Sequence, residues 1–210
     1  FFLSFSAASR KVGAKSLSLS ESAVKELDEK LRRVETWTHA DLARYRLLLG
    51  LDWTGDKAIK IVNDLAETAD NGELISIFRA LGQLPKSESF VERVTEGLRT
   101  NVSDVFRSIA QDNEFAAQYL SEGAWNQMVL KALFVGLELH PIVGLEKRAK
   151  LELSVMLCDY ARERWAAGRR VSHELWRPVA LALNDRAKID LERALSGSDD
   201  LAALGATFAR

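Results

Sequence analysis

The residues best suited to chemistry lie between Trp125 and Arg170. Asn126, Gln127 and Lys131 sit among large apolar neighbours in the run Trp125-Asn126-Gln127-Met128-Val129-Leu130-Lys131. Two amides supply donors and acceptors and an ammonium supplies a point charge, a set that reads a polar or anionic small molecule. The competing reading has both amides tying down neighbouring backbone at a turn, since buried amides must be matched. Further on, Asp159, Arg162 and Glu163 place opposite charges at helical spacing. Such pairs on an exposed face contribute roughly a few tenths of a kcal/mol. Lys131 with an acid such as Asp159 or Glu163 would make a base or a Schiff-base site, although their spacing does not demand it. Arg169 and Arg170 follow Gly168, where a helix C-terminus favours cations.

Other chemistries lack their signatures. There is no phosphate loop and no Gly-rich strand-to-helix turn. His39, His140 and His173 are far apart, and none has a second His or Cys at ligand spacing, so no metal is expected. Cys158 ends the apolar run Val155-Met156-Leu157-Cys158 and reads as a buried structural thiol. No cofactor is expected.

Helices must position these groups. Apolar residues recur at three- and four-residue steps almost throughout, beginning with Val24, Leu27, Leu31 and Val34. Thr38 with Asp41 marks a helix start that runs to Leu51, and a further helix spans residues 55–69. Asp70 with Glu73 forms a capping box for Leu74, Ile77, Phe78 and Leu81, which Gly82 closes in a left-handed turn. Phe90 to Leu98 marks the next helix, and Asn101 with Asp104 starts another over residues 102–111. Ser121 and Glu122 open the helix that carries Trp125 to Val135. One long helix is expected from Leu145 to Ala167, stopped at Gly168, and a last one from Ser172 to Leu183. No segment alternates at period two. The fold class is all-α, with antiparallel helical pairs stacked as a short HEAT-like array or an irregular bundle. Residues 1–20, rich in Ser, Ala, Gly and Lys, read as a flexible leader, residues 21–183 as the helical domain, and residues 184–210 as an appended C-terminal helix and tail. The stripe of Ile189, Leu191, Ala194 and Leu195 suits intramolecular docking.

The 210 residues are enough for one well-buried core, or two very small ones. A formal net charge of −1 gives no electrostatic reason for nucleic acid as a partner. The single cysteine excludes an internal disulfide and fits a reducing, cytoplasmic setting. No apolar run approaches the roughly 20 residues of a membrane span. The apolar start Phe1-Phe2-Leu3-Ser4-Phe5 reads as a terminal segment packing on a groove, with peripheral membrane contact as the lesser reading.

The carboxyl-terminal half resembles the EboA family of ebo-operon proteins. The resemblance rests on Glu96-Gly97-Leu98-Arg99-Thr100-Asn101, on Ala124 to Phe134, on Gly144-Leu145 and Arg148-Ala149, on Asp159-Tyr160-Ala161 with Glu163 to Arg169, and on Glu174 to Arg177. It spans roughly Leu74 to Val179 and is weak over the first 50 residues. Where the family pattern has Asn-Pro-Tyr-Pro this chain has Asn113-Glu114-Phe115-Ala116, and where it has Ala-His-Glu-Arg-Trp this chain has Ala161 to Trp165 with Arg162 in place of His. That loss removes the His as a base. The resemblance implies a helical accessory protein in a pathway that makes or moves a secreted secondary metabolite, with a small metabolite or other ebo-operon proteins as partners. The expected ligand-binding set is Arg99, Asn101, Trp125, Asn126, Gln127, Lys131, Arg148, Asp159 and Glu163. The leading expectation is a non-catalytic binding protein; the alternative is a small pathway enzyme using Lys131 and an acidic partner on a polar or prenylated intermediate.

Overall fold

A computed structural model describes residues 1–18, 20, 22 and 34–196. The helix expected through Val24, Leu27 and Leu31 and the tail from Gly197 lie outside these residues. The described residues are all-α, and their β pairing is limited to an isolated bridge between Ser16 and Thr38. The chain divides into two compact units, Phe1–Leu120 and Ser121–Arg210.

The first unit contains α1 (Phe2–Ser6), α2 (Ala8–Val12), α3 (His39–Leu49), α4 (Lys57–Thr68), α5 (Asn71–Leu81), α6 (Val91–Gly97), α7 (Ser103–Ala110) and α8 (Glu114–Tyr119). Helix α5 is its hub and packs on α3, α4 and α7. Its start is set by the Asp70/Glu73 capping box, in which each side chain accepts the other residue's backbone N–H, at 2.8 and 3.0 Å. Ile77, Phe78 and Leu81 then fall on its buried side. Gly82 ends α5 in a right-handed conformation (φ −67°), not the left-handed turn expected. The need for glycine there is steric, because a Cβ would sit 3.1 Å from the Phe115 backbone nitrogen.

Residues 1–20 hold α1 and α2, and α2 packs on α3 with Phe5 and Ala8 buried. Backbone bonds from Leu17 to the Trp37 carbonyl and from His39 to the Lys15 carbonyl fasten the strand-like stretch behind them. Asn101 does not cap α7. The helix starts two residues later, and Thr100 Oγ1 accepts the Val102 N–H instead.

The second unit contains α9 (Glu122–Phe134), α10 (Leu145–Arg148), α11 (Leu151–Ala166), α12 (Trp176–Ala180) and α13 (Asp185–Ser196). Helix α11 packs on α9, α12 and α13. The single long helix expected from Leu145 to Ala167 is interrupted, because Ala149 and Lys150 are extended. Neither Gly nor Pro marks the break. Tertiary pairing overrides local propensity: Lys150 pairs with Glu122, and the Arg148 guanidinium lies over the Trp125 ring. The helix expected from Ser172 to Leu183 is a 3-10 turn, His173–Leu175, followed by α12. Helix α13 docks on α11 through Leu191, Ala194 and a two-toothed Arg162–Asp190 pair at 3.0 and 2.5 Å. Ile189, expected in the docking stripe, is 65% exposed, because the Asp190 and Leu191 side of the helix faces α11.

Candidate functional site

An open cavity of about 470 Å³ lies in the first unit. Its polar floor follows from helical periodicity on two elements. Asp41 and Arg44 are three residues apart on α3, and Glu73, Ser76 and Arg79 repeat at three-residue steps on α5, so each set shares one face. Those faces meet. Ser76 Oγ donates to Asp41 Oδ1 at 2.5 Å and accepts from Arg44 Nη1 at 3.2 Å. Arg79 Nη1 donates to Asp41 Oδ2 at 2.9 Å. The same oxygen takes the Thr38 backbone N–H and hydroxyl, both at 2.9 Å, so Asp41 caps α3 and anchors the cavity at once. Arg44 Nε donates to the Phe5 carbonyl at 3.2 Å, and its guanidinium lies 5.4 Å from the Phe5 ring centroid. Asp41, Arg44, Glu73 and Ser76 are all buried, which is tolerable only because each charge has a partner.

The lining also includes Trp37 and Ile75 on the apolar side, and Asp104, Arg107, Asp112, Asn113 and Glu114 from α7, the turn after it and the start of α8. Asn113 is buried and holds that turn: its Nδ2 donates to the Phe78 and Ser108 carbonyls, and its Oδ1 accepts the Phe115 N–H. The turn therefore stays fixed although Glu114, Phe115 and Ala116 follow Asn113 in place of the Pro-Tyr-Pro of the pattern.

The sequence-predicted residues lie elsewhere. Arg99 and Asn101 are exposed in the first unit. In the second, Gln127, Asp159 and Glu163 are exposed, and Asp159 pairs with Arg162 at 2.9 Å. Trp125 and Asn126 are buried, and neither Trp125 Nε1 nor Asn126 Oδ1 has a hydrogen-bond partner in the structure. Trp125 and Arg148 are brought together, with the guanidinium carbon 4.6 Å from the ring centroid. Burial lowers the pKa of Arg148, opposed by the Glu122 charge, and burial likewise lowers that of Lys131. Cys158 is buried, and its thiol is pushed up to about 12, first by desolvation and then by the neighbouring Asp190. No group of three or more His, Cys, Asp or Glu among the described residues could hold a metal. No helix among them is long and apolar enough to cross a membrane.

A cavity and network in one unit, and a buried Trp–Arg contact in the other, both fall inside residues 1–180. That span is matched by the family model for EboA, described as a metabolite traffic protein. This chain belongs to the EboA family. No curated protein and no solved structure matches it. The EboA match begins at residue 1, so it takes in α1, α2 and α3, where the sequence resemblance was weak. Only α13 and the tail lie wholly beyond it. The residues missed by sequence reasoning are Asp41, Arg44, Ser76 and Arg79. Their signal was a polar residue recurring every third position on two helices whose apolar faces it interrupts.

Proposed function

We propose that this EboA chain is a non-catalytic binding protein that takes a small polar metabolite into the cavity of its first unit and passes it to other proteins of its pathway. The observation that carries this reading is a cavity of about 470 Å³ lined by Asp41, Arg44 and Arg79, with the buried Ser76 bonding Asp41 to Arg44 behind them. That volume is in the range of small-molecule sites, roughly 300–1,000 Å³. A rigid network that spends its charges on itself holds a shape rather than moving protons. The lining includes no Cys, His or Lys, and its Ser and Thr hydroxyls have no imidazole or amine beside them to act as a base. Native mass spectrometry of the full chain, purified from cells that run the pathway, tests the reading. We expect a retained small molecule that is lost in Ile75→Trp, which fills the cavity while the thermal midpoint stays within a few degrees. A wild-type chain that carries no small molecule under any loading would sink it.

One observation favours a second reading, an enzyme in the second unit. Burial lowers the Lys131 pKa, which raises the share of neutral amine able to attack a carbonyl. Asp159 or Glu163 would then serve as the acidic partner. Borohydride trapping with a carbonyl-bearing intermediate should add mass to the wild type and not to Lys131→Met. No trapped adduct with any pathway intermediate removes this reading.

A further inference from the structure

We propose that residues 1–15 dock the chain onto an anionic lipid surface, with Leu3 and the two Phe side chains before it entering the bilayer interface and Arg10, Lys11 and Lys15 meeting the headgroups. This docking does not depend on what the cavity holds. The fold leaves an apolar tip uncovered. Leu3 is 88% exposed, and Phe1 and Phe2 beside it are 41% and 44% exposed. A lone exposed leucine means little, but three large apolar residues in a row form a patch. The tip stands on a fixed base. Phe5 is buried, its carbonyl accepts the Arg44 Nε–H at 3.2 Å, and the Arg44 guanidinium carbon lies 5.4 Å from its ring centroid. The Phe1 ring stacks on Phe5 at 6.3 Å and meets the Phe2 ring edge-on at 6.2 Å.

Charge decides what covers the patch. Residues 1–20 contain Arg10, Lys11 and Lys15 and no Asp or Glu, in a chain whose formal net charge is −1. All three basic residues are exposed, and among the described residues none of them forms an ion pair. Helix α3, on which α2 packs, adds no exposed acid, because its single carboxylate is the buried and bonded Asp41. The backbone aligns the apolar and basic features. The Ala7 N–H donates to the Leu3 carbonyl and the Lys11 N–H to the Ala7 carbonyl, so the winding continues through the turn between α1 and α2. Leu3, Ala7 and Arg10 then follow at four- and three-residue steps on the outer side, opposite the buried Phe5 and Ala8.

A nucleic acid would answer the cations and leave Leu3 in water. A bilayer with anionic headgroups answers both, since apolar side chains enter its interface while basic ones stay at its charged surface. The segment lies on the bilayer, because no helix among the described residues is long and apolar enough to cross one. Ser9 on α2 and Ala14 behind it also line the cavity, so this docking brings the cavity to the lipid surface.

Co-sedimentation of the full chain with vesicles tests this, using phosphatidylcholine alone and phosphatidylcholine with one third phosphatidylglycerol. Each basic residue near an anionic leaflet strengthens binding roughly fivefold, so the anionic vesicles should bind at least about tenfold tighter than the neutral ones. That preference should vanish in about 1 M salt, where charges are screened within about 3 Å. Leu3→Asp should weaken binding to the anionic vesicles at least about tenfold, as expected for loss of a buried leucine side chain. Arg10→Gln with Lys11→Gln should weaken it by a similar factor. All three residues are exposed, so a thermal midpoint within a few degrees of wild type should accompany each loss. Equal binding to the two vesicle types, binding to neither, or binding unmoved by Leu3→Asp or by the double variant overturns the proposal. So does binding to a DNA duplex with none to vesicles. None of these outcomes touches the retention of a small molecule in mass spectrometry, so the two readings fail separately.

Discussion

At the scale of single residues, Asp41 carries the most consequence, because one carboxylate ends a helix and anchors a cavity. Asp41→Asn keeps the size and replaces an acceptor with a donor that must face Arg79, Ser76 or Thr38. Breaking a buried, hydrogen-bonded pair in this way should cost about 2–4 kcal/mol in urea unfolding. Ser76→Ala removes the hydroxyl between Asp41 and Arg44 and should cost about 1–2 kcal/mol. The two losses should sum to more than the double variant shows, since both disrupt one network. Additive costs would mean that the groups act separately. The cap was legible in the sequence, but the bonds to Ser76 and Arg79 were not, because those partners are 35 and 38 positions away. The eye is drawn to Asn126 and Gln127, polar residues in an apolar run, yet Gln127 turns to solvent. Cys158 was legible, since its apolar neighbours predict burial. Burial, and then the neighbouring Asp190, push its thiol up to about 12, well above the ordinary thiol range, so the folded state favours the neutral form. That stabilisation is complete below about 9 and fades as pH rises towards 12. Wild type should therefore lose stability more steeply than Cys158→Ala between those limits, and at pH 8 a disulfide reagent should label the thiol only after denaturant is added.

At the scale of elements, what a few neighbouring residues decide was readable and what distant ones decide was not. The Thr38/Asp41 and Asp70/Glu73 boxes depend on residues three apart, and both helices start where the boxes place them. The break at Ala149 and Lys150 depends on Glu122 and Trp125, which no local window contains. Helix packing adds a constraint at Gly97, near the end of α6. A Cβ there would lie 2.5 Å from Phe78 Cζ and 2.9 Å from Ile109 Cδ1, both on buried residues of α5 and α7. Alanine ordinarily gains up to about 1 kcal/mol over glycine inside a helix. Here overpacking of about 1–3 kcal/mol opposes that gain, because the buried Phe78 ring and Ile109 methyl would both have to shift. Gly97→Ala should lower stability by about 1–2 kcal/mol in denaturant melts. A neutral or stabilising result would show that α6 stands further from α5 and α7 than described.

At the scale of the whole molecule, the question is which unit handles the metabolite, and the two units make opposite demands on the same experiment. The first unit holds a cavity whose floor pairs Asp41 with Arg79, and its lining has no Cys, His or Lys. The second holds the residues that stand out in sequence, of which Gln127, Asp159 and Glu163 are solvated and Trp125 and Asn126 are sealed. Solvated charges bind weakly because water competes for them, and sealed amides cannot reach a ligand without local opening. Retention of a small molecule should therefore respond to Ile75→Trp and Arg79→Gln and be indifferent to Gln127→Ala and Lys131→Met. Because Arg79 also supports Asp41, its variant needs a melt alongside to separate loss of fold from loss of grip. A protein with ligand at 100 times its dissociation constant gains about 2.7 kcal/mol, so the ligand-dependent shift in midpoint gives an independent reading. If Lys131→Met alone abolished retention, the Trp125–Arg148 neighbourhood would be the working site, and the Asp41 network would serve only to hold the first unit together.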